Sequence, residues 1–237
     1  MPDPAPNTEL LRSLGQLVRG LSALFWGLPA SLIICIGTVS AGWFTAFNVL
    51  PALAATGSLV FGLWQMSHFQ KQERPWRHAL DRAQLLALVN FGLCPFLYGL
   101  NRMPDQPYFN VVAAILALSG ILFLFNLNLV LARLGAMLPD ETLRQETRQF
   151  TALNRGLLVT ILLLVVIYAF VARTPAILQR LDSAIGHSWV LMMIAEWLFP
   201  LGPWVFMFLV LLPLSLTMAM IWKTKEVIFA SVFDTHH

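Results

Sequence analysis

The chain has 237 residues, a net charge of +3 and a mean hydropathy of +0.72, with 58% hydrophobic and only 11% charged residues. A soluble domain of this size carries roughly 25% charged residues, so this chain has too little polar surface to be covered by water. The composition excludes an ordinary soluble domain and predicts a membrane protein. Nucleic-acid binding is not expected, because the cations form no basic block and no known nucleic-acid-binding motif occurs.

Six apolar runs predict membrane-spanning helices, since a hydrocarbon layer of about 30 Å needs roughly 20 helical residues. The chain is therefore predicted to be an all-α polytopic transmembrane helical bundle of about six spans. It is expected to form one integral membrane domain over residues 1–237, with a tail and surface helix in 1–20, the spans in 21–222 and a cytoplasmic tail in 223–237. The predicted spans are Leu21–Phe44, Leu50–Phe69, Leu85–Leu100, Phe109–Leu131, Leu157–Val171 and Pro203–Trp222.

Two further segments have the apolar spacing of amphipathic helices. Leu10, Leu14 and Leu17 recur at helical intervals near the N-terminus, which predicts an N-terminal amphipathic helix on the inner surface or a continuation of the first span. The sequence Pro139-Asp140-Glu141 opens a second helix, with its acidic groups at the positive end of the helix dipole. That helix is predicted either to lie on the membrane or meet a partner, or to be a solvated extension of span five.

The segment before the last span is apolar but interrupted. A single helix over Trp189–Trp222 would reach about 50 Å, and Pro200, Gly202 and Pro203 break it. We therefore expect Trp189–Phe199 to form a re-entrant or interfacial piece, because irregular backbone at membrane depth must be satisfied by protein or a wet cavity.

Lysine and arginine residues alternate between the two sides of the predicted spans. With the N-terminus inside, only Arg102, Arg173 and Arg180 fall outside, and the other 12 of the 15 cations fall inside. The positive-inside rule then predicts that both termini are cytoplasmic. We expect the protein in a cytoplasmic (inner) membrane of the bacterial type.

Polar residues within the apolar runs are candidates for function. Glu196 is the one acidic residue in such a run, and it either faces a cavity or lies hydrated in the outer headgroup layer. Asn90, Asn126 and Asn128 lie in spans three and four, where amides either line a polar path or bond neighbouring helices together. Bonding between helices is the favoured interpretation.

The inner loops and the second span offer candidate contact surfaces. Ala54, Ser58 and Gly62 form a ridge of small residues, which lets another helix of this chain or of a second copy approach closely. The cations of the inner loops are predicted to meet a cytoplasmic protein. The candidate partner-contact residues are Arg74, Arg77, His78, Arg144 and Arg148.

No catalytic, cofactor-binding or metal-binding residue is predicted. His68, His78 and His187 are scattered, and Cys35 and Cys94 form no Cys-x-x-Cys pair, so no metal or haem ligand set can be assembled. Nucleophile and nucleotide-binding motifs are likewise absent from the sequence.

Three functions remain open at this level. The favoured hypothesis is a non-enzymatic membrane subunit or scaffold that packs with other membrane chains. The second is a transport permease subunit, because the layout of an N-terminal amphipathic helix, a short inner loop over 70–82 and a re-entrant piece before span six resembles that of six-span ABC exporter permeases. That resemblance implies pairing with another permease and contact between the inner loop and an ATPase. The third is a lipid-modifying enzyme that uses Arg74, His78 and Asp81 at the inner face.

Overall fold

The computed structural model describes residues 8–40, 48–69, 73–103, 105–137, 141–173 and 202–233. Within these ranges the chain is helical, with no strand. Seven helices follow one another along it: α1 (Thr8–Ser40), α2 (Leu50–Met66), α3 (Arg74–Leu93), α4 (Pro95–Arg102), α5 (Pro107–Met137), α6 (Glu141–Arg173) and α7 (Gly202–Phe233).

Five stretches in these helices are long and apolar enough to cross a membrane, and α2 adds a shorter apolar helix of 17 residues. The prediction of an all-α chain with about six apolar helices is confirmed, and these helices are compatible with a multi-pass membrane protein. The five stretches are Arg12–Val39, Arg74–Arg102, Pro107–Met137, Arg144–Val166 and Phe208–Phe229.

Several helices extend well beyond the apolar runs. The N-terminal amphipathic turns are the start of α1, which continues unbroken into the first span, and the helix that opens near Glu141 continues as α6. A 33-residue helix reaches about 50 Å, against about 30 Å of hydrocarbon. Leu17, Leu21, Leu24 and Leu28 explain the continuity of α1, because they form one buried stripe across the expected boundary.

Proline interrupts the third span but not the first or the last. The chain turns at Cys94, and α4 begins at Pro95, which has no backbone N–H to continue the hydrogen bonding of α3. Pro29 and Pro213 lie inside the continuous helices α1 and α7.

The long helices form a ring in which α1, α2, α3, α5, α6 and α7 each contact the next, and α7 returns to α1. Consecutive helices of the ring are antiparallel. The Phe69 and Trp76 rings lie 6.4 Å apart, which places the end of α2 beside the start of α3. Likewise Lys223 in the C-terminal half of α7 forms an ion pair with Glu146 near the start of α6.

We call one end of the ring the basic end. It comprises the first turns of α1, α3 and α6 and the last turns of α2, α5 and α7. Its cations are Arg12, Arg19, Arg74, Arg77, Arg82, Arg133, Arg144, Arg148, Lys223 and Lys225.

Small residues bring α1 and α2 together. A Cβ atom added to Gly20 would lie 2.6 Å from the carbonyl oxygen of Gly62, so the two backbones can approach only because both residues are glycine. A Cβ atom added to Gly27 would lie 2.5 Å from the Ser58 side-chain oxygen. The ridge predicted on α2 thus packs, through Ser58 and Gly62, against α1 of the same chain, whereas Ala54 is exposed.

Candidate functional site: a buried polar cluster and a basic cleft

Three polar side chains from three helices meet inside the ring and form what we call the polar cluster: Asn128 on α5, Asn154 on α6 and Thr217 on α7. All three are buried, with at most 2% of their surface exposed. The amide nitrogen Nδ2 of Asn154 lies 2.9 Å from the Asn128 Oδ1 atom and 2.9 Å from the Thr217 Oγ1 atom. These bonds join α5, α6 and α7 directly.

The polar cluster also uses the backbone around a proline. Thr217 donates to the Pro213 carbonyl oxygen at 2.7 Å, and the Asn154 Nδ2 atom lies 3.2 Å from the same oxygen. An amide group has only two N–H hydrogens, so Asn154 can donate to two of its three acceptors at a time. Its own Oδ1 atom is buried and has no hydrogen-bond partner within the described ranges.

The polar cluster attaches α6 to α5 and α7 through buried hydrogen bonds. The largest apolar core draws its residues from α1, α2, α3, α5 and α7, together with Phe69, and includes no described residue of α6. Within residues 144–166 of α6, the buried residues are Thr147, Asn154, Leu158 and Ile161, which lie on one face at intervals of seven, four and three. We infer that hydrogen bonds hold α6 in the ring beside the apolar packing of Leu158 and Ile161.

The three asparagines predicted from the sequence have different surroundings. Asn90 on α3 accepts a hydrogen bond from Ser119 on α5, and both side chains are buried. Asn128 belongs to the polar cluster. Asn126 donates only to the Leu122 carbonyl of its own helix, at 2.8 Å, and is half-buried. Two of the three amides are therefore bonded between helices. Glu196 and the segment Trp189–Phe199 lie outside the described residues.

The candidate partner-contact residues lie together at the basic end. Arg74, Arg77 and His78 are exposed on the first turns of α3, and Arg144 and Arg148 are exposed on the first turns of α6. The Lys223–Glu146 pair is the ion pair that the structure records among the residues it describes, so these five side chains form none there.

Two clefts open between the helices of the basic end. The larger, of about 710 Å³, lies between α5 and α6, and we call it the α5–α6 cleft. The smaller, of about 320 Å³, lies between α3 and α5 and is lined by His78, Arg82 and Arg133, among others. The lining of the α5–α6 cleft consists of Ala132, Ala136, Arg144, Thr147, Arg148, Thr151, Ala152, Arg155, Gly156 and Val159.

Four residues of these sites were missed by the sequence analysis. Asn154 and Arg155 precede the fifth apolar run, where a surface helix or an extension of span five is predicted, and neither is named as a candidate, although both lie in the middle of α6. Thr217 and Ser119 are single hydroxyl groups within apolar runs. The spacing of Thr147, Asn154 and Leu158 on one helical face is a signal that could have shown Asn154 to be buried.

The described part of the chain contains no group of three or more His, Cys, Asp or Glu residues that could hold a metal ion. Comparisons with known protein families, with curated proteins and with solved structures find no match for the chain. The function is therefore inferred from the helical architecture, the polar cluster and the basic end.

Proposed function

We propose that the chain is a non-enzymatic membrane subunit of a larger complex, and that its basic end docks an acidic segment of a partner chain at the cytoplasmic surface. The observation that carries the proposal is the gathering of exposed cations from separate helices at one end of the ring. Two of these cations, Arg74 and Arg77, lie with the exposed side chain of His78 within five residues of one another on α3.

The charge of this surface favours an acidic partner. Glu73 and Asp81 lie beside these three side chains and are also exposed, yet neither forms an ion pair with them. The guanidinium groups therefore remain available for carboxylates of another protein, for which arginine provides a planar, forked donor. Charged contacts of this kind contribute mainly to the rate and specificity of docking.

The interior of the ring favours a fixed membrane subunit over a transporter that changes conformation. Asn90 is bonded to Ser119, and Asn128 to Asn154, so amides that could line a path are used to join helices. Buried inter-helix hydrogen bonds of this kind each contribute about 0.6–2 kcal/mol in a membrane. A subunit that presents a docking surface benefits from such a fixed frame.

The orientation of the docking surface follows from its charge. By the positive-inside rule, the end with most of the lysine and arginine residues faces the cytoplasm. The partner would accordingly be a cytoplasmic protein, or the cytoplasmic segment of another membrane chain.

Photo-crosslinking in native membranes tests this proposal. A photoreactive residue at position 77 should give one major adduct, whose crosslinked peptide is acidic, and R74A/H78A in the same chain should reduce that adduct at least tenfold. The matched control is a photoreactive residue at position 102, since Arg102 is an exposed cation on the helix α4. The proposal fails if position 77 gives no protein adduct, or if positions 77 and 102 give the same one. An ATPase adduct whose activity depends on positions 74 and 78 would instead favour a permease.

A further inference from the structure

The α5–α6 cleft combines cationic and apolar linings at one place. Arg144, Arg148 and Arg155 line it from α6, all of them exposed. Ala132 and Ala136 form the opposite side on α5. Because the alanine side chains are small, they leave a volume of about 710 Å³, within the usual range for a bound small molecule or headgroup.

The cations of the cleft are arranged along one face of α6. Arg148 and Arg155 are seven residues apart, which is two turns or about 10 Å along the helix axis. Thr151 lies between them and lines the cleft, and its Oγ1 atom has no hydrogen-bond partner among the described residues. The Arg155 guanidinium carbon lies 5.3 Å from the centre of the Phe125 ring, a cation–π contact that fixes its position.

The same face of α6 becomes apolar toward the membrane. Beyond the arginines, the lining continues through Gly156 and Val159, and the exposed side chains of Leu163 and Val166 extend the line on the same helical face. Residues 156–173 would span about 27 Å of helix, close to the thickness of the hydrocarbon layer. With these residues in the hydrocarbon layer, Arg155 would lie at the boundary between that layer and the headgroups.

We propose that the α5–α6 cleft binds an anionic phospholipid, with the phosphate-bearing headgroup between Arg148 and Arg155 and an acyl chain along Val159, Leu163 and Val166. Guanidinium groups bind phosphate oxygens through charge-assisted, often bidentate hydrogen bonds. Basic pockets between membrane helices on the cytoplasmic side have the chemistry that anionic headgroups require.

A lipid accounts for the whole cleft, whereas the other phosphate-bearing or acidic ligands account for part of it. Free phosphate would leave the apolar line beyond Gly156 without an occupant. An acidic peptide would have to place backbone groups against the same apolar line, where their hydrogen bonds to water would be lost. This proposal shares Arg148 with the basic end, but it does not use Arg74 or His78 of α3, whose substitution tests the partner docking.

The test is the thermal stability of the full chain, delipidated in a neutral detergent and titrated with phosphatidylglycerol, with phosphatidylcholine or with inorganic phosphate. Two variants remove the cationic groups, R148Q and R155Q. A third, G156L, fills the cleft without a change of charge, because a Cβ atom at Gly156 meets nothing within 4 Å. The matched control is G92L, at an exposed glycine on α3 that also has open space and does not line the cleft.

We expect phosphatidylglycerol to raise the melting temperature, and phosphatidylcholine and inorganic phosphate to leave it unchanged. The apparent affinity for phosphatidylglycerol should fall at least tenfold in R148Q, R155Q and G156L and stay unchanged in G92L. Equal stabilisation by phosphatidylcholine would overturn the assignment of an anionic headgroup. Stabilisation by inorganic phosphate alone would overturn the assignment of a lipid as the ligand. An unchanged affinity in G156L would place the lipid elsewhere.

Discussion

Asn154 joins α6 to both of its neighbours in the ring, α5 and α7. The substitution Asn154→Leu keeps a side chain of similar length but removes the donor that bonds Asn128 on α5 and Thr217 on α7. Asn128 Oδ1 then retains only the longer Thr217 contact of 3.4 Å. Both partners stay buried, so they cannot be rehydrated without opening the ring.

The expected loss of stability follows from these bonds. Two inter-helix hydrogen bonds at about 0.6–2 kcal/mol each would contribute roughly 1–4 kcal/mol together. Leucine recovers part of this through apolar burial, and it also removes the buried Asn154 Oδ1 atom that has no partner in the described structure. We therefore expect a net loss of about 1–2 kcal/mol, or a 5–30-fold shift of the unfolding equilibrium constant.

The assay is SDS-induced unfolding of the full chain in mixed micelles, followed by circular dichroism. The control is Asn126→Leu, because Asn126 is half-buried and bonds only within α5; it should change stability by less than about 0.5 kcal/mol. Combining Asn154→Leu with Thr217→Val should cost less than the sum of the two single substitutions, because both remove the same bond. Equal stability of Asn154→Leu and the parent protein would refute the role assigned to the polar cluster.

Two further predictions concern the contacts between helices. Gly20→Val should destabilise the protein by more than about 2 kcal/mol, because its Cβ atom would meet the Gly62 backbone. Gly15→Ala on the same helix should be tolerated, since its Cβ atom meets nothing within 4 Å. SDS-induced unfolding measures both, and a tolerated Gly20→Val would contradict the close packing of α1 and α2. Reversing the charge of Lys223 or Glu146 alone should lower the stability by about 0.2–1 kcal/mol, because the ion pair is only half-buried. Reversing both charges together should restore the stability at low salt. A double variant no more stable than either single one would show that the pair contributes nothing.

The all-helical architecture could be predicted from the sequence because apolar runs such as Phe109–Leu131 are stable in lipid. A backbone in lipid must be helical or form a closed barrel. The observed helix α5 contains that run and extends past it at both ends, over Pro107–Met137. Hydropathy marks where the hydrocarbon layer begins and ends, whereas backbone hydrogen bonding decides where a helix ends.

The polar cluster could not be predicted in the same way. The partners of Asn154 are 26 and 63 residues distant along the chain, so only the packed ring brings them together. Asn154 also directly precedes Arg155, and a polar pair beside an apolar run is typical of an exposed segment at the end of a span. The prediction of Asn90 and Asn128 as inter-helix residues rested on hydropathy alone and did not identify Ser119 or Thr217 as their partners.

The basic end, with its cations from several helices, is proposed to face the cytoplasm as one surface. Single cysteines at positions 77, 148 and 105, in a chain with Cys35 and Cys94 replaced by alanine, can be labelled with a membrane-impermeant thiol reagent in sealed right-side-out and inside-out vesicles. We predict that positions 77 and 148 react only from the cytoplasmic side and that position 105, between α4 and α5, reacts only from the opposite side. Reaction of positions 77 and 148 from opposite sides of the membrane would contradict the account.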